Sequence, residues 1–294
     1  MRKWMALLAV CATVRAEAPA AALLNAKTLA RIKAVESRTS GVIGVAAIDL
    51  TTGDLLEHNG EFVFAQASSI KIPILMQLFA DAAAGKLSLD EKVTLQPADS
   101  VGGSGHIHSV LRSGPATFTL QELATAMIET SDNTATNKLI ARVGMDAVNR
   151  LLDSMGFRAT RLRRIMLDTA AARRGEENVS TPVEMARLME ILYRGKAVNA
   201  DSSQRMIEIL KLVKADFRAA VPSNIPVAAK PGGIAGVRCE SGIVFLPGRP
   251  FVMSVSSSFL DDADNPVKEI ASILFAHFDK VAHSNRYGHR TELK

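Results

Sequence analysis

The chain has 294 residues, 48% of them hydrophobic and 22% charged, with a formal net charge of +5. That balance supplies one large core or two fused lobes and excludes a disordered, repetitive or low-complexity chain. No Lys/Arg tract is interleaved with aromatic residues, so nucleic acid is not an expected partner, and two cysteines cannot make a disulfide-stapled scaffold.

The chain opens with Arg2 and Lys3, an apolar run from Trp4 to Val14, and small residues around Ala16. Basic, then apolar, then small is the order of an export leader. The run is too short to cross a bilayer, which takes ~20 apolar residues. Residues 1–19 are therefore expected to be a cleaved signal peptide, leaving an exported protein, periplasmic or secreted, without stable membrane insertion. Cys11 falls in that leader, so Cys239 stands alone and reads as a packed strand residue.

Val42 to Leu50 is rich in β-branched and small apolar residues, Thr51-Thr52-Gly53 makes a turn, and Leu55 to His58 pairs back as a hairpin. From Ser68 the spacing of Ile70, Ile72, Ile74, Leu75, Leu78 and Phe79 predicts a helix that stops at Gly85. Helical periodicity continues in Leu120–Glu129, Thr134–Val143, Met145–Met155, Val183–Tyr193 and Ala200–Lys214, with Thr181-Pro182 as a cap and first position. Strands return at Ile225–Ala229, Gly242–Leu246 and Phe251–Ser257, with turns expected at Gly232-Gly233 and Pro247-Gly248. A helix from about Asp264 to Val281 closes the chain before a polar tail, residues 284–294. The order implies an antiparallel sheet completed by both ends of the chain plus an all-helical lobe, with a cleft between them.

Three short motifs carry chemistry. Ser68-Ser69-Ile70-Lys71 places a serine and a lysine three apart at a helix start, where the amine can reach the hydroxyl. A serine needs a neighbouring base to become a nucleophile, and a lysine serves only when burial or another cation lowers its pKa. The helix N-terminus adds N–H groups that stabilise an oxyanion. Ser131-Asp132-Asn133 lies between two helical segments and also fits an ordinary helix cap. Lys230-Pro231-Gly232 ends a strand and also fits an edge lysine before a turn. Chance explains each motif alone, but not all three in this order.

With these motifs the chain resembles the class A β-lactamases and penicillin-recognising serine hydrolases over roughly Lys27 to Val281. Phe64, the string Asp132 to Asn137, Thr160-Arg161-Leu162 and Asn178 ahead of Thr181-Pro182 add to the likeness. The resemblance implies an α/β sandwich of the β-lactamase/transpeptidase type, with a five-stranded antiparallel sheet flanked by helices, in one catalytic domain over residues 20–283. It also implies that Ser68 forms an acyl-enzyme, with Lys71 as base or proton relay. Ser131 would pass the proton to the leaving nitrogen, and Lys230 would support that transfer and the substrate carboxylate. Asn133 would bind the acylamide, and the N–H groups of Ser68 and Gly233, beside Gly232, would form the oxyanion hole.

Two departures bear on function. The family's deacylation glutamate lies five residues past the arginine of the Thr-Arg-Leu segment, which here is Met166. Methionine cannot activate water, so Asp168 is the nearest candidate base, while Glu176 and Glu177 read as structural. Pro231 stands where the family has a hydroxyl for the substrate carboxylate, which shifts that contact toward Lys230 or Arg238. The expected function is a serine hydrolase acylated at Ser68 by β-lactams and slow to deacylate. Its rivals are a D-Ala-D-Ala carboxypeptidase of cell-wall metabolism and a non-turnover penicillin-binding sensor. The expected partner is a small β-lactam or D-Ala-D-Ala peptide, and the protein is expected to be a monomer. His106-x-His108 lacks a third ligand and reads as a solvated loop. The arginines from Arg158 to Arg174 read as a solvated face. No metal or organic cofactor is expected.

Overall fold

The computed structural model describes residues 19–285 and 287–290. The expected leader lies outside the described residues apart from Pro19.

The chain begins with helix α1 (Pro19–Glu36) and then builds β1 (Val42–Asp49) and β2 (Leu55–His58) as the expected hairpin, with Ile48 opposite Leu55. The Asp49 carboxylate accepts from the N–H groups of Thr51 and Thr52, and Gly53 takes a φ of 81° that favours glycine. The remaining sheet strands come from the far end of the chain: β3 (Val227–Ile234), β4 (Val237–Val244) and β5 (Phe251–Ser258). Their order across the sheet is β2-β1-β5-β4-β3, and every pairing is antiparallel.

All but the first residue of β1 is buried, because both sheet faces are covered. Val45 and Ala47 face a core shared with Ile270, Leu274 and Phe278 of the closing helix α8 (Val267–Ala282). Ala46 and Ile48 face the core that continues into the helical lobe. Phe251 and Phe278 stack at 4.1 Å between centroids.

The lobe contains α2 (Lys71–Ala83), α3 (Leu120–Glu129), α4 (Asn133–Val143), α5 (Met145–Ser154), α6 (Pro182–Tyr193) and α7 (Ala200–Lys211). Thr119 and Glu122 close a capping box on α3. Thr181 accepts from the Glu184 N–H, with Pro182 at the first position of α6. Most methionines of the lobe pack in the core, among them Met76, Met127, Met185 and Met189.

One expected turn is misplaced. The strand runs straight through Gly232 and Gly233, and the chain reverses at Ala235-Gly236, where Gly236 has φ 74°. Gly232 is required for closeness rather than for turning. A Cβ there would lie 2.6 Å from the Gln66 carbonyl oxygen and 2.8 Å from the Ser68 nitrogen. As a result β4 starts at Val237 rather than Gly242, and Lys230 sits mid-strand.

His277 is buried in the seam between α1 and α8, where its Nδ1 lies 2.9 Å from the Thr28 hydroxyl. Burial, helped by the Arg249 charge, pulls its pKa from 6.5 down to about 4. The unfolded chain therefore takes up this proton first, and stability is lost as pH falls from about 6.5 to about 4. Thermal melts across that window should show a falling Tm, and His277→Gln should flatten the dependence.

Candidate active site

Ser68 and Ser69 are neighbours with opposite fates. Both lie in the 3-10 turn Ala67–Ile70 that leads into α2, where Ala67 holds a left-handed φ of 40°. Ser69 is fully buried, and its hydroxyl donates to the Gln66 carbonyl at 2.8 Å and to Gln66 Oε1 at 2.7 Å. Cys239 Sγ backs the same turn, 3.4 Å from Ser69 Oγ. Ser68 remains half-buried at the surface of the turn. The motif thus offers one serine to structure and one to chemistry.

Lys71 is fully buried at the first turn of α2. Its Nζ donates to the Ser131 carbonyl at 2.7 Å, the Ser131 hydroxyl at 3.0 Å and Asn133 Oδ1 at 3.1 Å. The sequence spacing directs this amine to Ser68, whereas its hydrogen bonds go to the Ser-Asp-Asn segment. Burial holds its pKa well below the usual lysine value, the Lys230 charge lowers it further, and Asp132 opposes them. The shift favours the neutral amine, and in that form the nitrogen would accept from the Ser131 hydroxyl.

The Ser-Asp-Asn segment divides its labour. Ser131 takes a left-handed φ of 57°. Buried Asp132 accepts from the N–H groups of His106, Ile107 and Ala135, which ties the 102–107 loop to the start of α4. Asn133 accepts from Lys71 and donates one amide hydrogen to the Gly102 carbonyl at 3.0 Å, which leaves the second hydrogen.

Lys230 on β3 is 1% exposed, and burial brings its pKa down to about 8. β3 is an edge strand, and Pro231 sits inside it opposite Glu240. Proline is tolerated there only with its nitrogen turned away from the neighbouring strand. Gly233, two residues on, shares that orientation, so its N–H points away from the neighbouring strand. Arg238 folds back on the hairpin, and its Nη1 donates to the carbonyls of Ile234 and Val237, both at 2.9 Å.

Met166 lies where a clamp from α4 reaches the next loop. Its N–H donates to Asn137 Oδ1 at 2.8 Å, and Asn137 Nδ2 donates to its carbonyl at 3.1 Å. The side chain is 7% exposed and packs in the lobe core. Asp168 caps the short helix Thr169–Arg173, accepting from the Ala171 N–H at 2.9 Å. Glu176 and Glu177 pair with Arg174 and Arg164. Arg158 and Arg161 pair with Asp153, so much of the arginine run is neutralised locally. Among the described residues no His/Cys/Asp/Glu cluster could hold a metal, and His106 precedes the short helix Ile107–Val110.

Sequence reasoning passed over Gln66, Asn137 and Glu184 as site-building residues. Glu184 accepts from the N–H groups of Arg158, Ala159 and Thr160. Asn137 carries a usable signal, since it falls four residues after Asn133 on the same helix face. Gln66 and Glu184 have none without the fold.

The sequence model of the Beta-lactamase enzyme family matches residues 27–278. The chain is 29% identical over 232 residues to β-lactamase CARB-3 of Pseudomonas aeruginosa, covering 76% of this chain and 79% of that one. It superimposes on a β-lactamase from Sphaerobacter thermophilus with a TM-score of 0.78 at 28% identity, covering 87% and 97% of the two chains. A leucine-to-glutamate mutant of PBP-A, solved as its acyl-enzyme complex with penicillin G, gives a TM-score of 0.78 at 25% identity with the same coverage. The fold, the matched length and the three motifs agree: the chain belongs to the β-lactamase enzyme family, as a serine hydrolase related to class A.

Proposed function

We propose that this protein opens β-lactams by acylation at Ser68 and releases the acyl group slowly. In the acylation step a neutral Lys71 accepts the Ser68 proton as the hydroxyl oxygen attacks the lactam carbonyl. The N–H groups of Ser68 and Gly233 receive the oxyanion, and Ser131, bonded to Lys71, delivers a proton to the departing nitrogen. Asn133 keeps one hydrogen for the acylamide carbonyl, while Lys230 and Arg238 supply positive charge for the substrate carboxylate.

The observation that carries the slow second step is Met166, which is clamped by Asn137 and turned into the core at the position expected of the deacylation base. Loss of a positioned base costs about 10²–10⁴-fold in rate, or ~3–5 kcal/mol of barrier. The same observation favours a second reading, a D-Ala-D-Ala carboxypeptidase of cell-wall metabolism, in which a β-lactam acts as a slowly released inhibitor. The basic, apolar and small residues from Arg2 to Ala16 support export to the periplasm or medium, and no described helix is long and apolar enough to cross a membrane.

A chromogenic cephalosporin should give a one-equivalent burst, with an adduct that persists by intact mass and is absent in Ser68→Ala. Absence of both burst and adduct in the unaltered protein would remove the proposal. Met166→Glu should raise the deacylation rate by at least tenfold, read as decay of the adduct, with acylation changed far less. Asp168→Asn should leave the residual turnover within about twofold, because asparagine keeps the cap; a tenfold fall would instead identify Asp168 as the base. Release of free D-alanine from a pentapeptide ending in D-Ala-D-Ala would support the carboxypeptidase reading.

A further inference from the structure

Two buried ionisable groups sit on the edge hairpin of the sheet, one step apart in register. Lys230 stands opposite Ser241, and its charge bears on Lys71 of the helical lobe. Glu240 stands opposite Pro231, so strand alternation puts it on the other face. There it is 1% exposed, and its Oε2 accepts from the Phe217 N–H at 3.1 Å. Its other oxygen, Oε1, is also buried and has no hydrogen-bond partner among the described residues.

That bare oxygen calls for a reason. Capping the short helix Asp216–Ala220 takes one acceptor, and a neutral side chain would supply it without burying a carboxyl group. A buried polar atom left unpaired is costly. What a glutamate adds is a proton that it can give up. Burial pushes its carboxyl up to about 8, with Asp216 acting in the same direction and the Phe217 N–H and Lys230 against it. Burial brings Lys230 down to about 8, and the Glu240 charge is the largest influence opposing that fall. The two groups therefore titrate over one range, as a pair.

The other charged groups around them are accounted for. The short helix brings Asp216, bonded to Asn265, and Arg218, bonded to backbone carbonyls. Glu240's own strand brings Cys239 and Arg238, and β5 places Val255 opposite it. The buried titratable group of α8, His277, lies against Thr28 instead. Beside Lys230, the turn Ala67–Ile70 and the buried residues of α7 carry no charge, which leaves Lys71 and Cys239.

We propose that Glu240 is a positioning residue for acylation, acting through Lys230. As pH rises its carboxyl gives up a proton before Lys230 does, and the charge it then carries holds Lys230 cationic. Lys230 thereby stays available to the substrate carboxylate and keeps Lys71 a neutral base. The inference rests on the reading of Ser68 as an acylated nucleophile.

Glu240→Gln keeps an acceptor for the Phe217 N–H but cannot ionise. Second-order acylation constants with benzylpenicillin, read by intact mass from about pH 6 to about pH 10, should fall on the alkaline side as Lys230 loses its proton. In the variant that fall should begin about one pH unit lower. Carbon NMR of protein isotope-labelled at lysine Cε and glutamate Cδ reads the same event without substrate. The Lys230 signal should titrate about one pH unit lower in the variant, and the Glu240 signal of the unaltered protein should titrate above neutrality. An unmoved Lys230 titration in Glu240→Gln, or a Glu240 carboxyl that ionises with ordinary surface carboxylates, would leave Glu240 a helix cap and overturn the inference. The second result needs no variant, so it decides the matter even where Glu240→Gln does not fold. A shifted Lys230 titration with an unmoved acylation profile would also overturn it, since the lysine charge would then not serve the reaction. An unaltered protein that forms no adduct with benzylpenicillin overturns the acylation reading itself, whatever the Lys230 titration shows.

Discussion

A lysine amine with no access to water ties the helix that follows Ser68 to the Ser-Asp-Asn segment. Lys71 belongs to α2, yet its nitrogen is surrounded by oxygens of Ser131, in the loop before α4, and Asn133, the first residue of α4. An ammonium in such a place is costly unless paired, and burial instead drives it toward the neutral amine. The cost is tolerable only while each oxygen stays within hydrogen-bonding reach. Much of the surroundings serves that end: Asp132 anchors its loop through three backbone N–H groups, Gly102 holds the far side of the Asn133 amide, and Ser131 accepts a strained φ to aim both its oxygens at one atom. Lys230 on the opposing strand, itself deeply buried, adds a second cation that lowers Lys71 further. The same burial is what the proposed role of Lys71 as base requires of a residue that is ordinarily an acid at neutral pH.

The loop over residues 161–179 is built just as firmly, but around a residue with no proton chemistry. Arg161 and Val179 pair at its neck, Asn178 binds the backbone of Arg163 and Arg164, and Asn137 holds both polar groups of Met166. The frame of the loop is intact, and position 166 presents a thioether buried in the lobe core. On the proposed reading the two half-reactions rest on different elements: acylation on Lys71 and Ser131, deacylation on the loop that carries Met166.

Much of this was legible in the sequence, for reasons that differ from element to element. The hairpin of β1 and β2 and the helix α3 end where the sequence ends them, since β-branched runs, the Asp49–Gly53 turn and the Thr119 capping box act locally. Ser68, Lys71, Ser131 and Lys230 were readable as residue types at known spacing. Gly232-Gly233 was misread because a glycine that admits a neighbouring backbone looks the same in sequence as one that turns the chain, and only the packing of Ser68 and Gln66 against β3 separates the two. The direction of the Lys71 amine was hidden for a related reason: i, i+3 spacing places it near Ser68, and the competition from Ser131 and Asn133 is long-range. Helix α1 announced itself poorly, because its apolar residues do not gather on one stripe.

Pro231 has one further consequence. An unpaired sheet edge is a template on which any extended chain can add itself as another strand, and β3 is such an edge. The proline removes one donor from the outward row, so a guest chain meets a gap two residues before Gly233 and cannot continue its ladder past it. The edge next to the nucleophile thus offers Gly233 as an isolated donor, suited to one carbonyl at a time, and is protected from strand-by-strand association with other molecules of the same chain.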